Sequence, residues 1–226
     1  MTVILRVDVP IASFPTSRSR EYRETYPVPP PSTVYGMLLS LVGETDKYKH
    51  CGVKIAIALL SEPAKSVTLR TMRRFKKKKL NHKVNTRPDF QEILTGIELM
   101  VWVDKGEDEA KPNLCDRITE AFKYPALVSR FSPLCLGESR DLINSVDLVS
   151  HLDSNHNLNY LIQDEYGDLS LPYWVDYLGS NNTRWLRYSL EKRCSAVLGV
   201  SPMSDCIKKQ SSATLPDSAW TIVKAI

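Results

Sequence analysis

The chain has 226 residues, of which 42% are hydrophobic and 25% are charged, so its composition is that of a globular protein and excludes disordered and fibrous classes. No apolar run approaches the roughly 20 residues that cross a bilayer, and charges interrupt the first residues too early for a secretory signal, so we expect a cytoplasmic protein without membrane contact. Nine cations and no acid lie between Arg70 and Arg87, so the rest of the chain carries −5, which is the net +4 minus these nine.

The first predicted elements are a strand, a basic loop and a helix. Val3, Leu5, Val7 and Val9 alternate with other residues at period two, which predicts a strand ending at Pro10. The loop that follows carries Arg18, Arg20, Tyr22 and Arg23, and it ends in the proline-rich residues 27–31. Ser32 is an N-cap candidate, and apolar residues at helical spacing predict a helix over 32–43.

Three further strands and a second helix are predicted next. Period-two patterns mark strands at 53–59, 67–71 and 97–103. Residues 74–90 are too polar for a core, so we expect a projecting loop or long hairpin tip, and we name the basic segment at about residues 70–90 the thumb. Asn113 can cap a helix that ends before Pro125, and a last strand follows at 146–150.

This order predicts the fold class. Strand, helix, strand, strand, strand, helix, strand is a ferredoxin-like, RRM-like βαββαβ unit of the α+β class with one additional strand, and such units underlie many RNA-binding modules. We assign it to residues 1–150, with the thumb as an insertion. Residues 151–226 are predicted to form a small β-rich extension, whose aromatic residues we expect to pack a second small sheet against the first.

Three positively charged segments are candidates for one RNA-binding face: the first loop, the start of the first helix and the thumb. A helix N-terminus suits one phosphate, and cationic side chains suit its neighbours. Unpaired bases need aromatic partners, which Tyr22, Tyr35 and Phe75 can supply. The candidate residues are Arg18, Arg20, Tyr22, Arg23, Ser32, Thr33, Tyr35, Arg70, Arg73, Arg74, Lys76, Lys77, Lys78, Lys79, His82, Lys83, Arg87 and Arg140.

Five cysteines stand at wide, irregular spacing, without a Cys-x-x-Cys pair, which predicts reduced thiols. His50 beside Cys51 is half of a metal site at most, because no second close pair accompanies it. We therefore expect no metal and no cofactor.

Residues 25–38, Thr-Tyr-Pro-Val-Pro-Pro-Pro-Ser-Thr-Val-Tyr-Gly-Met-Leu, resemble the signature of the fifth Cas subunit of type I CRISPR Cascade complexes. Residues 133–140, Pro-Leu-Cys-Leu-Gly-Glu-Ser-Arg, resemble the second landmark of that family, although family members often carry Arg-Ser-Glu where Glu138-Ser139-Arg140 stands here. Residues 171–177 through Trp185 resemble the tail of its Myxan, or type I-B-like, branch.

The resemblance implies a non-catalytic subunit with a RAMP-superfamily fold that binds the 5′ handle of the crRNA. It implies a thumb that reaches toward the backbone (Cas seven) subunit, contact with the large (Cas eight) subunit, and an indirect place near the PAM of target DNA. A role in defence and a role in a CRISPR-associated transposon are both compatible with it.

Three alternatives remain open from the residues. The basic block is also typical of a solvated loop. One branch of the family processes precursor RNA, and His82 beside Lys83 is a candidate acid–base pair for such an endoribonuclease, although proximity in sequence is not catalytic geometry. A general RNA- or DNA-binding protein outside CRISPR systems explains the thumb but not the proline-serine-threonine signature.

Overall fold

Two long strands form the centre of a largely antiparallel sheet. The computed structural model describes residues 2–17, 21–149, 157–176, 182–194 and 215–225. β1 (Thr2–Ala12) pairs with β5 (Thr86–Asp104) in a register from Thr2 opposite Asp104 to Ala12 opposite Leu94. β1 continues two residues beyond Pro10, where we predicted its end, because the ladder skips that proline and so does not need the N–H it lacks.

Two strands flank this pair, and two helices cover one face. β3 (Lys54–Leu59) lies beside β5 and β6 (Ser145–Leu148) beside β1, which gives the antiparallel order β6-β1-β5-β3. The helices are α1 (Pro31–Leu41) and α2 (Leu114–Lys123), and they connect β1 to β3 and β5 to β6. The alternating valines and leucines of β1 are buried against them in the main core. The described residues thus form a mixed α/β structure with a large antiparallel sheet and two helices.

The two helix starts differ from each other. Asn113 caps α2, since its side-chain oxygen accepts the backbone N–H of Asp116, as predicted. The expectation that Ser32 caps α1 is wrong: Pro30 is the N-cap residue, no side chain caps this helix, and Ser32 already lies in the first turn. Pro31 starts the helix because its fixed φ suits the first helical position, where no N–H is needed.

The thumb is a hairpin. β4 (Ala64–Arg73) pairs with the first half of β5, and β2 (Tyr22–Arg23) adds in parallel on the other side of β5. We expected residues 74–90 to project as a loop or hairpin tip, but residues 86–90 belong to β5. The irregular tip is therefore 74–85, and a 3₁₀ turn at Lys83–Asn85 closes it. We call residues 74–85 the thumb tip.

The C-terminal strands extend the same sheet. β7 (Asn157–Gln163), β9 (Arg184–Cys194) and β8 (Leu169–Trp174) continue from β3 in that order, and β10 (Thr221–Ile222) also pairs with β3. The expected separate second sheet is therefore wrong, because β7 hydrogen-bonds directly to the edge of β3. Further 3₁₀ turns span Pro125–Leu127 and Asp217–Ala219. Ser150 and Tyr177, both used in the predictions, lie outside the described residues.

A buried polar network joins the two helices. His50 contacts Asp108 through Nδ1 at 2.9 Å and Arg117 through Nε2 at 3.0 Å, and Arg117 also pairs with Glu44. Both ring nitrogens of His50 therefore have protein partners. In the described part of the chain, no helix is long and apolar enough to cross a membrane.

Candidate nucleic-acid interface

Seven of the nine cations between Arg70 and Arg87 are exposed, and they lie at and beside the thumb tip. The cations at and beside the thumb tip form no ion pair with another described residue, whereas Arg70 and Arg87 in the paired strands of the hairpin do. Unpaired, solvated cations on a projecting hairpin can meet a polyanion without first breaking a contact in the protein. The exposed cations are Arg73, Arg74, Lys76, Lys77, Lys78, Lys79 and Lys83.

Asn85 holds the thumb tip in shape. Its side-chain oxygen accepts the backbone N–H groups of Lys76 and Lys77 at 2.9 and 2.8 Å, and its amide nitrogen donates to the carbonyls of Lys77 and Lys79 at 2.9 and 3.0 Å. Its side chain is buried although the loop around it is exposed. One residue thus fixes the backbone that carries three of the lysines.

Replacing Asn85 by alanine is expected to loosen the tip without unfolding the protein. The substitution removes four hydrogen bonds that hold only the thumb tip, which lies outside the core, so the loss loosens the tip locally and we expect the melting temperature to change by less than about 2 °C. Hydrogen exchange at the Lys76 and Lys77 amides should rise by about tenfold or more. Asn81→Ala, an exposed asparagine in the same loop, is the matched control, and equal exchange in the two variants would contradict the role of Asn85.

Aromatic side chains lie on the thumb and beside it. Tyr22 stacks on Phe90 with ring centroids 6.3 Å apart, and both rings remain partly exposed. Phe75 at the tip is 72% exposed, so its ring can take a base. The expectation that Tyr35 stacks on a base is wrong: it is 3% exposed, packs near Trp174 and donates its hydroxyl to the Lys47 carbonyl at 2.7 Å. This burial raises the pKa of Tyr35.

An arginine cluster lies at the root of the thumb. Arg70 pairs across the ladder with buried Asp89 at 3.1 Å. Arg140 donates to Gln91 Oε1 at 2.7 Å and pairs with Glu138 at 2.9 Å. Two strands and the 136–141 loop thereby bring cationic groups together that are distant in sequence. We call Arg23, Arg70, Arg140 and the Glu138 carboxylate between them the root cluster.

Backbone geometry sets the position of Glu138 and Arg140. Gly137 has φ +109°, and a Cβ there would lie 2.8 Å from the Ser13 carbonyl oxygen and 2.9 Å from Asp141 Oδ2. Asp141 is buried and accepts the N–H groups of Ser13 at 3.0 Å and Glu138 at 2.9 Å. The loop can therefore adopt this shape only with glycine at 137.

The start of α1 borders two grooves. One of about 320 Å³ is lined by Ser32 and Thr33 together with Gly137, Glu138 and Trp185. The other, of about 830 Å³, runs along α1 past Gly36 to Trp174. We expected the start of this helix to suit one phosphate. The backbone N–H groups of Thr33 and Val34 both donate to the Pro30 carbonyl, because the first turn is wound tightly after the prolines, so these two amides do not face an anion.

His82 has a local structural contact. Its Nδ1 accepts the backbone N–H of Val84 at 3.2 Å and caps the 3₁₀ turn at Lys83–Asn85. This contact gives His82 a structural role in the turn at the thumb tip.

The predicted residues thus fall into several groups. The thumb tip holds most of the lysines, the root cluster holds Arg23, Arg70 and Arg140, and the α1 start holds Ser32 and Thr33. Arg18 and Arg20 lie outside the described residues. Sequence reasoning missed Asn85, Glu138, Asp89 and Gln91, although Arg87, Asp89 and Gln91 at period two mark one polar face of a strand.

Three kinds of comparison relate this chain to known proteins. Residues 2–126 match the family described as "CRISPR-associated protein (Cas_Cas5)". The "CRISPR-associated protein Cas5" of Myxococcus xanthus (strain DK1622) is 36% identical over 197 residues, which cover 86% of this chain and 92% of that protein.

Two solved structures are similar in fold. A chain described as "CRISPR RNA-guided surveillance complex" has a TM-score of 0.61 at 15% identity and covers 88% of this chain and 94% of its own length. Another, described as "Crystal structure of Cas protein", has a TM-score of 0.50 at 15% identity, with 86% and 94% covered. At this identity the likeness concerns the fold.

Proposed function

This chain belongs to the Cas5 family of CRISPR-associated proteins, and we propose that it is a non-catalytic subunit of a type I Cascade complex that binds the 5′ handle of the crRNA. The observation that carries the proposal is the row of unpaired cations on the thumb tip, next to exposed Phe75. Cations bind the phosphates of a single strand and an exposed ring stacks on its bases, so the thumb suits single-stranded RNA.

The finer parts of the proposal concern architecture. We assign the strand order β6-β1-β5-β3 with its two connecting helices to a ferredoxin-like βαββαβ unit of the RAMP type, which the antiparallel pairing supports. We divide the chain into residues 1–150 and 151–226, with the second part extending the sheet of the first. The resemblance of the tail supports placement in the Myxan, or type I-B-like, branch.

The proposed partners follow from the family. We propose that the thumb contacts the backbone subunit and that another surface contacts the large subunit, near the PAM of target DNA, in the cytoplasm. Exposed Leu69 and Leu80 on the thumb support a protein partner there, since apolar side chains on a basic hairpin gain by burial against another subunit.

The test is co-expression with the other subunits of its locus and a repeat-spacer RNA, followed by purification through this chain. We expect a complex containing crRNA, and we expect the isolated chain to bind the 5′ handle more tightly than a scrambled RNA of equal length. Equal affinity for both RNAs, with no crRNA in the purified complex, would contradict the proposal.

The endoribonuclease alternative is separated by incubating the chain with precursor repeat RNA. No contact among the described residues pairs the exposed His82 with Lys83 as an acid–base couple, so we expect intact RNA. Cleavage that disappears in His82→Ala, with the melting temperature unchanged, would instead assign a nuclease role.

A further inference from the structure

The root cluster places a carboxylate among three arginines, which is an arrangement of donors that also suits a phosphate. Glu138 lies between three guanidinium groups: Arg140 at 2.9 Å, Arg23 at 3.4 Å and Arg70 at 3.9 Å. The amide of Gln91 also donates to it at 3.1 Å. Carboxylates and phosphodiesters both present charged oxygen atoms to the fork of an arginine, so the same donors serve either anion.

Glu138 is more accessible to solvent than the other acidic residues nearby. Asp89 and Asp141 are buried and held, by Arg70 and by two backbone N–H groups respectively. The Glu138 side chain is 24% exposed and its partners Arg140 and Arg23 are 50% and 35% exposed. A ligand from solvent can therefore reach the cluster and displace Glu138 without unfolding the strands beneath it.

Protein groups do not fully satisfy the polar atoms in and beside the cluster. Among the described residues, the buried Nε atoms of Arg70 and Arg87 and Oδ1 of Asp89 have no hydrogen-bond partner. Most buried polar atoms in native proteins have a hydrogen-bond partner. A charged cluster at the edge of a groove whose buried atoms lack partners is therefore typical of a site where a ligand supplies them. Glu138 itself lines the groove at the α1 start.

We propose that Glu138 occupies the position of one RNA phosphodiester in the free protein and gives it up when RNA binds. The inference rests on the proposed function and concerns its selectivity. While Glu138 is in place, its carboxylate holds the three arginines in position and offsets one of their three positive charges, so a passing polyanion gains less from them. An RNA that also engages the thumb tip releases the carboxylate and takes over its arginines.

The test compares Glu138→Gln with the wild-type full chain. Glutamine keeps an oxygen that accepts hydrogen bonds but removes the negative charge, so the loop is retained while the competition ends. We expect binding of a fluorescein-labelled oligouridylate to tighten about fivefold, the change given by removing one unit charge near 4 Å at aqueous dielectric. The matched control is Glu98→Gln. Glu98 lies on another part of β5 and pairs with Arg6 of β1, so this substitution should leave the affinity for oligouridylate unchanged.

A second variant separates this inference from the proposed function. Arg140→Ala should weaken oligouridylate binding, because it removes a phosphate ligand. If Arg140→Ala weakens binding while Glu138→Gln leaves it equal or weaker, Glu138 only positions the arginines, and the inference is overturned while the function stands. If the wild-type chain binds neither oligouridylate nor handle RNA, both fail. Melting temperatures establish that each variant is folded.

Discussion

Replacing the four lysines at 76–79 with alanine is expected to weaken RNA binding by about tenfold or more at low salt while leaving the protein folded. All four are exposed, and none forms an ion pair with another described residue. For a single strand, every phosphate that is no longer bound should reduce the slope of log affinity against log salt by about 0.7, so the total reduction approaches about 2.8 if all four lysines reach the RNA backbone. Fluorescence anisotropy over a salt series measures both quantities.

The control removes lysines away from the thumb. Lys105 and Lys111 are exposed near the start of α2, and their double replacement by alanine should leave the salt slope unchanged. The melting temperature of the quadruple variant should equal that of the wild type, because the four exposed side chains form no ion pair within the described part of the chain. An unchanged slope together with normal assembly into the complex would assign the four lysines to solvent.

Gly137→Ala is expected to destabilise the protein by about 1–3 kcal/mol and to remove the contribution of Arg140 to RNA binding. The added Cβ meets the Ser13 carbonyl oxygen at 2.8 Å, and the backbone at φ +109° disfavours any L side chain. The loop must move, and it carries Glu138 and Arg140 with it. We expect a fall in melting temperature of roughly 2–10 °C and weaker RNA binding.

Gly36→Ala is the matched control for that variant. Gly36 is exposed in α1, and outside the local helix backbone no atom of a described residue lies within 4 Å of the position a Cβ would take there. Alanine is the better helix former by about 1 kcal/mol, so the control should be neutral or more stable. A Gly137→Ala variant that melts and binds RNA like Gly36→Ala would show that the loop geometry does not matter to the site.

Local patterns account for the elements that were predicted well. The apolar alternation of β1 and of β5 from Ile97 onward was confirmed because one face of these strands meets the helices of the core. Asn113 was correctly placed as a cap because its hydrogen bond spans only three residues. Such features depend on near neighbours in the chain, which a sequence displays directly.

The wrong expectations concern residues whose role depends on distant partners or on the residue just before them. Ser32 has the chemistry of a cap, but the proline before it begins the helix one residue earlier. Tyr35 has the ring of a base-stacking residue, but packing with Trp174 and a hydrogen bond to Lys47 bury it. The C-terminal strands were expected as a separate sheet, yet the free edge of β3 pairs with β7.

The sequence by itself determined the order of the four central strands and two helices, the projecting basic thumb and the family, because periodicity, local charge and a long proline-rich signature are properties of consecutive residues. Only the tertiary structure decided which cations are free and which are already paired. Arg23, Arg70 and Arg140 meet at Glu138 because strand pairing and the Gly137 turn bring segments more than forty residues apart within hydrogen-bonding distance, and the energy of such a contact depends on a spatial arrangement that no local pattern encodes.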